Sequence, residues 1–157
     1  MKRMFLLALG ATLLLAAAPR GEQARQPRTD ADRLQGTWQL ATVEVNQKPI
    51  PMASLKEGDT PVVGRLVIKG ESYSFRLGKT RLELTFKLRP GGKPKAIDLT
   101  VTEGPEKGKT YYGIYRLRGD TYTICRPVEP GKDRPTAFTT TPDSGLMMVV
   151  WKRVPAR

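Results

Sequence analysis

The sequence contains no histidine and a single cysteine, Cys125. Histidine is the commonest general base and metal ligand in proteins, so its absence removes the usual route to acid–base catalysis. One thiol cannot form an intrachain disulfide, and without histidine it makes neither a Cys–His nucleophile nor a plausible zinc site. We therefore interpret Cys125 as a small, buried strand residue and predict no catalytic residue, no metal and no cofactor.

The sequence also lacks a hydrophobic run of the roughly 20 residues that a membrane helix needs. The apolar residues that follow Lys2 and Arg3 form a shorter stretch, and small residues come after it. These three parts are typical of a secretory signal peptide. We predict a signal peptide and processing region over residues 1–24, a flexible lead-in over residues 25–33, and one exported domain over residues 34–154, located in the periplasm or outside the cell.

Acidic residues are few relative to basic ones, and the net charge is +12. A basic chain can attract nucleic acid, but an exported protein rarely meets it, so no nucleic-acid partner is expected. A basic surface outside the cytoplasm would instead attract an anionic envelope polymer, a lipid surface or an acidic protein. The chain is expected to be a monomer.

What the sequence does contain is a series of short alternating segments separated by turns. Residues 81–88 are apolar at every even position and polar at every odd one, and residues 72–77 and 96–103 alternate similarly. This pattern requires a sheet with one dry and one wet face. About eight such segments predict an all-β fold, an antiparallel up-and-down barrel of about eight strands. Residues 51–60 suggest a single helical turn.

Gly36 and Trp38 lie in the first predicted strand. Glycine allows the backbone to bend or to approach other atoms closely, and tryptophan supplies a large apolar surface with one N–H group. A glycine two residues before a tryptophan at this position suits a side chain that closes the bottom of a barrel. We therefore predict that Trp38 forms the barrel floor.

The interior of an eight-stranded barrel can be filled by side chains or can hold one small ligand. The long connection over residues 127–145 is interpreted either as a lid over the barrel mouth or as a strap that plugs the barrel or pairs with its edge. As a lid, it would bring Arg134 to an anionic group and Phe138 to an apolar one. The candidate ligand-binding residues are the inward aromatic residues together with these two: Tyr73, Phe75, Phe86, Tyr115, Tyr122, Arg134 and Phe138.

Two other patterns are better explained by structure than by chemistry. Residues 104–110 approach a phosphate-binding loop, but three residues separate the glycines where the motif needs four, and a strand follows where it needs a helix. Glu83 and Asp98 are predicted to point outward into solvent, so they do not suggest a catalytic carboxylate pair.

Several short motifs occur together in one order over residues 34–153. They are Leu34-Gln35-Gly36-Thr37-Trp38, Lys93-Pro94-Lys95-Ala96-Ile97-Asp98-Leu99, Gly108-Lys109-Thr110, Gly113-Ile114-Tyr115, Gly119-Asp120, Cys125 and Arg134-Pro135-Thr136-Ala137-Phe138. Together they resemble an uncharacterised lipocalin-like domain family of planctomycete bacteria. This resemblance implies an exported lipocalin-like barrel and brings no known activity. In lipocalins, a basic residue near the end of the last strand packs on the tryptophan, a part that Arg153, or alternatively Lys152, would take here.

Two functions follow as hypotheses. The first is a non-enzymatic, exported module that binds a small apolar or amphipathic ligand inside the barrel. The alternative is a structural or protein-interaction module of the cell envelope that uses a basic outer face.

Overall fold

A computed structural model describes residues 28–52, 56–57 and 60–155, so the predicted signal peptide lies outside the described residues. No helix in this part of the chain is long and apolar enough to span a membrane. The described elements are α1 (Asp30–Leu34), β1 (Gly36–Val45), β2 (Lys48–Pro51), β3 (Lys56–Glu57), β4 (Thr60–Pro61), β5 (Gly64–Lys69), β6 (Ser72–Leu77), β7 (Thr80–Arg89), β8 (Lys95–Val101), β9 (Thr110–Arg118), β10 (Thr121–Pro127) and β11 (Leu146–Arg153).

Strands β1 and β5–β11 form a closed, antiparallel, up-and-down barrel of eight strands. From β5 to β11 each strand pairs with the next one along the chain, while β1 pairs with β5 on one side and β11 on the other. In the closing pair Trp38 lies opposite Arg153, and Leu40 lies opposite Trp151. The predicted fold class is therefore confirmed, and it is consistent with a lipocalin-like fold.

The segment between β1 and β5 contains three short strands among its described residues. Strand β2 pairs with the second half of β1, and Lys56 in β3 lies opposite Pro61 in β4. The single helical turn predicted over residues 51–60 is not formed at residues 56–57 and 60, which lie in β3 and β4, whereas Met52 is 3₁₀-helical and residues 53–55 and 58–59 lie outside the described residues. The Gly58-Asp59 pair between β3 and β4 is a sequence type that favours a hairpin over a helix.

A short helix, α1, precedes the barrel where residues 30–33 were predicted to belong to a flexible lead-in. The Thr29 hydroxyl accepts a hydrogen bond from the Asp32 backbone N–H at 3.2 Å, and the Asp32 carboxylate accepts one from the Thr29 backbone N–H at 3.0 Å. This reciprocal capping satisfies donors that a helix start otherwise leaves free. At the other end of α1, Leu34 is fully buried.

The Asp30 carboxylate attaches α1 to the barrel. It accepts hydrogen bonds from the Lys95 ammonium group at 2.7 Å and from the Tyr115 hydroxyl at 2.8 Å. Burial alone would raise the pKa of Asp30, but these two hydrogen bonds and the charges of Lys95 and Arg33 outweigh it and lower the pKa. The helix is therefore held on the barrel by a charged contact as well as by Leu34.

Trp38 closes the barrel end that lies under α1. Its side chain is fully buried, and its indole N–H donates to the Leu34 carbonyl at 2.8 Å. The Arg153 guanidinium carbon lies 4.1 Å from the centre of the indole ring, and Nη1 of the same group donates a hydrogen bond to the Gln35 carbonyl at 2.8 Å. Gly36 has a φ of +111°, and a Cβ there would lie 3.4 Å from Arg153 Nη1, so this strained and crowded position suits glycine.

Candidate functional site

An apolar cavity of about 230 Å³ occupies the half of the barrel opposite the Trp38 floor. Leu40 and Trp151, neighbours across the closing strand pair, contribute to its inner wall. Half-buried apolar side chains from the ends of β1, β6, β7 and β11 lie around its outer part, so the cavity opens toward solvent at this end. They are Val43, Leu77, Leu82 and Met147.

The inward direction of these side chains follows from strand alternation and one irregularity. In β7, Leu82 and Leu84 both line the cavity, as the period of two predicts. In β1 the register with β11 shifts between Leu40 and Thr42, which leaves one extra residue. Such a bulge reverses the faces of the residues that follow it, and Val43 consequently lines the same cavity as Leu40.

Arg126 is the one charged residue among the described residues that line the cavity. It continues the inward series of β10 after Tyr122 and Ile124. Its guanidinium carbon lies 4.3 Å from the centre of the Tyr111 ring, and its Nη1 donates to the Pro127 carbonyl at 2.8 Å. Burial lowers the pKa of Arg126, while the neighbouring tyrosines act in the opposite direction.

Tyr73 adds a hydroxyl to the cavity wall. Burial raises the pKa of Tyr73 to about 12, an effect that Tyr122 and the Arg126 charge only partly oppose. Burial and the neighbouring Tyr73 also raise the pKa of Tyr122. The Tyr122 hydroxyl nevertheless makes no hydrogen bond of acceptable geometry, and neither does the buried Trp151 indole N–H. The barrel interior thus holds polar groups that the described protein atoms do not satisfy.

The structure separates the predicted ligand-binding aromatic residues into two groups. Tyr73 and Phe75 line the cavity. Phe86, Tyr115 and Tyr122 are buried but do not line it. Tyr122 packs on Trp38 with ring centres 5.8 Å apart, and the Tyr115 hydroxyl is engaged by Asp30. The cavity therefore uses only the aromatic residues nearer the mouth.

Arg134 lies on the outside of the barrel, in the connection over residues 128–145. It donates hydrogen bonds to the Ile97 carbonyl at 3.0 Å and to the Gly113 carbonyl at 2.5 Å, and it forms an ion pair with Asp98. These contacts join β8 and β9 on their outer face. We call residues 128–145 the strap, because they cross the outer wall rather than cover the cavity.

Phe138 also lies on the outer wall, where the Arg116 guanidinium carbon is 4.7 Å from its ring centre. Neither Phe138 nor Arg134 lines the cavity. Asp98, which was predicted to be solvated, is 9% exposed and is paired with Arg89 at 2.9 Å in addition to Arg134. The alternation placed Asp98 outward correctly, but it could not show that the strap covers this face.

Sequence reasoning did not select Arg126, Tyr111 or Trp151 as site residues. The available signal was the period of two in β10, which places Arg126 on the face of Tyr122 and Ile124. That signal is weak for arginine, because charged side chains near a strand end usually face solvent. The position of Tyr111 is harder to predict, because its own hydroxyl donates a hydrogen bond to Glu106 at 2.8 Å and the strand pattern does not show this contact.

Cys125 is fully buried beneath the strap, and its Sγ lies 3.8 Å from the Thr139 carbonyl oxygen. Burial raises the pKa of this thiol, which makes it a poor nucleophile. Glu83 pairs with Arg81 at 2.6 Å and accepts from Ser74 at 2.5 Å. Within the described ranges, no group of three or more acidic or cysteine side chains could hold a metal ion.

No protein-family model matches this chain, and no curated protein or solved structure is detectably similar to it. The functional argument therefore depends on the geometry and chemistry of the barrel.

Proposed function

We propose that this protein is an exported, non-enzymatic binding protein that holds one small apolar or amphipathic ligand inside the barrel. The observation that supports this proposal is the apolar cavity of about 230 Å³, which is open at one end and closed at the other by Trp38. A cavity of 150 Å³ can hold a benzene-sized molecule, so this one suits a ligand of roughly ten non-hydrogen atoms.

The two tryptophans allow a direct test by NMR. Trp151 lines the cavity, while the Trp38 indole is bonded to Leu34 at the closed end. Titration of ¹⁵N-labelled protein with 1-octanol should shift the Trp151 indole N–H signal in a saturable way and leave the Trp38 signal nearly unchanged. Equal shifts of both signals, or no saturable shift at all, would contradict the proposal.

A matched pair of substitutions in β7 provides the control. Leu82 lines the cavity near its mouth, and Leu88 is a half-buried residue of the same strand that does not line it. Leu82→Trp should weaken 1-octanol binding at least tenfold by filling the mouth, whereas Leu88→Trp should leave it within twofold. Similar effects of the two substitutions would place the binding site outside the cavity.

A second candidate function is supported by a row of arginines on the outer wall. Arg65 lies opposite Arg76, and Arg76 lies opposite Arg81, in neighbouring strands β5, β6 and β7. All three are exposed, and only Arg81 has an ion-pair partner among the described residues. Like charges directly opposite each other are destabilising, so this row is better suited to an anionic partner. An envelope polymer or an anionic lipid surface would provide one.

Retention on vesicles containing anionic lipid tests this second function. Arg65→Glu with Arg76→Glu should abolish retention at low salt, and added salt should weaken retention of the wild type because it screens exposed charges. Lys107→Glu with Lys132→Glu makes the same change in net charge at exposed positions outside β5–β7. If both pairs reduce retention equally, net charge rather than the arginine row is responsible.

A further inference from the structure

The Arg126 guanidinium is a cation that forms no ion pair with any residue that the structure describes. It lines an apolar cavity, and no described carboxylate lies within 4.0 Å of it. The negative charge of Glu106 acts to raise the pKa of Arg126 from a greater distance. The Glu106 carboxylate itself accepts a hydrogen bond from the Tyr111 hydroxyl at 2.8 Å and pairs with Lys109 at 3.7 Å. Glu106 is therefore held by other partners.

An unpaired charge beside an apolar surface is unfavourable unless an anion or hydrogen-bond acceptor satisfies it. Guanidinium carries five N–H donors, and its planar fork matches the two oxygens of a carboxylate. The Arg126 side chain donates one hydrogen bond to a described residue, to the Pro127 carbonyl. The stack on Tyr111 holds the group in place without using the remaining donors.

We propose that the ligand of this cavity is a small amphipathic anion, a carboxylate with an apolar body, and that Arg126 binds its carboxylate. This inference rests on the proposed function, since it names the chemical class that the same cavity takes. Charge complementarity selects the head group, and the apolar lining selects the body.

The position of Arg126 along β10 gives the ligand a direction. Thr121, at the start of β10, pairs with Lys152 next to the closed end, whereas Arg126 lies one residue from the end of the strand at the open end. The carboxylate would therefore lie near the mouth beside Tyr111. The apolar body would extend inward along Phe75 toward Trp151. These two rings pack edge to face, with their centres 5.7 Å apart.

Octanoate and 1-octanol form a matched pair of probes for the full-length protein, since they differ in the head group and share the chain length. Wild-type protein should bind octanoate about tenfold more tightly than 1-octanol, as expected for charge-assisted hydrogen bonds. Arg126→Met, which keeps an unbranched apolar stem and removes the charge, should abolish this preference and leave 1-octanol binding within about threefold. Both affinities are measured from the Trp151 indole signal.

Arg116→Met is the control for overall charge, because Arg116 lies on the outer wall against Phe138. It should retain the full preference for octanoate. Arg126→Lys keeps the charge but loses the fork, so it should retain part of the preference. This conservative variant also serves as the test if Arg126→Met does not fold.

The outcomes separate the two proposals. If wild-type protein binds 1-octanol but shows no preference for octanoate, or if Arg126→Met and Arg116→Met reduce the preference equally, the anion inference is wrong and the binding function stands. If neither probe moves the Trp151 signal, the binding function itself fails.

Discussion

At the scale of single residues, the Trp38 side chain is held in place by contacts from several elements of the fold. Its ring is covered by the Arg153 guanidinium, and its N–H is satisfied by the Leu34 carbonyl of α1. Tyr122 packs on its ring from β10. The closed end of the barrel is therefore built around one indole, and removal of that indole would leave a large void.

We expect Trp38→Ala to lower the free energy of unfolding by about 3–5 kcal/mol, as truncation of large core residues does. Urea unfolding followed by circular dichroism measures this change. Trp38→Phe, which keeps most of the apolar volume, should cost clearly less. A loss below about 1 kcal/mol for Trp38→Ala would contradict the role of this residue as the barrel floor.

Sequence reasoning performed unevenly for individual residues. Trp38 could be selected because a glycine two residues earlier and a strand pattern around it restrict what the side chain can do. Arg126 could not be selected, because charged residues usually lie on the outside of a barrel. The alternation of β10 places Arg126 inward at a single position, which is weaker evidence than that general rule. Arg134 was selected as a ligand-binding candidate because it is a charged residue in a long connection. Its acceptors are the carbonyls of Ile97 in β8 and Gly113 in β9, which the sequence of the connection does not indicate.

At the scale of elements, the strap is the segment whose role the structure defines most clearly. It is anchored at its middle by Arg134 on Asp98, and toward its end by the Thr140 hydroxyl, which donates to the Glu44 carboxylate at 2.7 Å. Between these anchors it covers Cys125. The strap therefore shields the outer face of β8–β10 from solvent.

The reactivity of Cys125 reports whether the strap is in place. Native protein should react slowly with a thiol reagent such as DTNB at pH 8, because the thiol is buried and its pKa is raised. Arg134→Met removes the middle anchor and should speed the reaction at least tenfold. Lys132→Met, at an exposed strap position where the lysine pairs with the exposed Glu129 at 3.6 Å, should not change the rate. Equal rates in all three proteins would show that Arg134 does not hold the strap.

Long alternating strands were the easiest elements to predict. In β7 the apolar residues at 82, 84, 86 and 88 face the interior, as the sequence pattern indicated. The helix α1 was missed because five residues are too few to show a helical period. Its evidence was the Thr29–Asp32 capping pair, which is informative only beside a buried residue such as Leu34.

At the scale of the whole molecule, the barrel has two chemically different ends. One end is closed by α1, Trp38 and Arg153, and the other holds the cavity and Arg126. The largely buried carboxylates that hold accessory elements are Asp30, which pairs with Lys95 and holds α1, and Asp98, which pairs with Arg134 and holds the strap. The charges that hold α1 and the strap are thus separate from Arg126, the charge that we propose for ligand binding.

This arrangement predicts a stability that falls in acid. Burial alone would raise the pKa of Asp98, but hydrogen bonds and charge from Arg134 and Arg89 outweigh it and lower the pKa. The pKa of Asp30 is lowered in the same way. Groups whose pKa is lower in the folded state contribute stability that is present above the unfolded-state value, near 3.9, and is lost as the pH falls below it.

Urea unfolding at pH 6 and at pH 3 measures this effect. Asp98→Asn should lower the free energy of unfolding by about 1–3 kcal/mol at pH 6, since it leaves two arginines without their anion. At pH 3 the difference from wild type should shrink, because this pH lies below the unfolded-state pKa and the wild-type carboxylate then takes up a proton on unfolding, which favours the unfolded state. A difference of the same size at both pH values would mean that Asp98 acts through its shape rather than its ionisation.

The pairing of β1 with β11 has a consequence for how the chain reaches its fold. From β5 to β11 each pairing joins strands that are adjacent in the sequence, whereas Trp38 must find Arg153 across almost the whole domain. Contacts between distant parts of a chain slow folding because the loop entropy is lost before the contact forms. The meander should therefore form first, and barrel closure should be the rate-limiting step, with both unpaired strand edges exposed until it is complete.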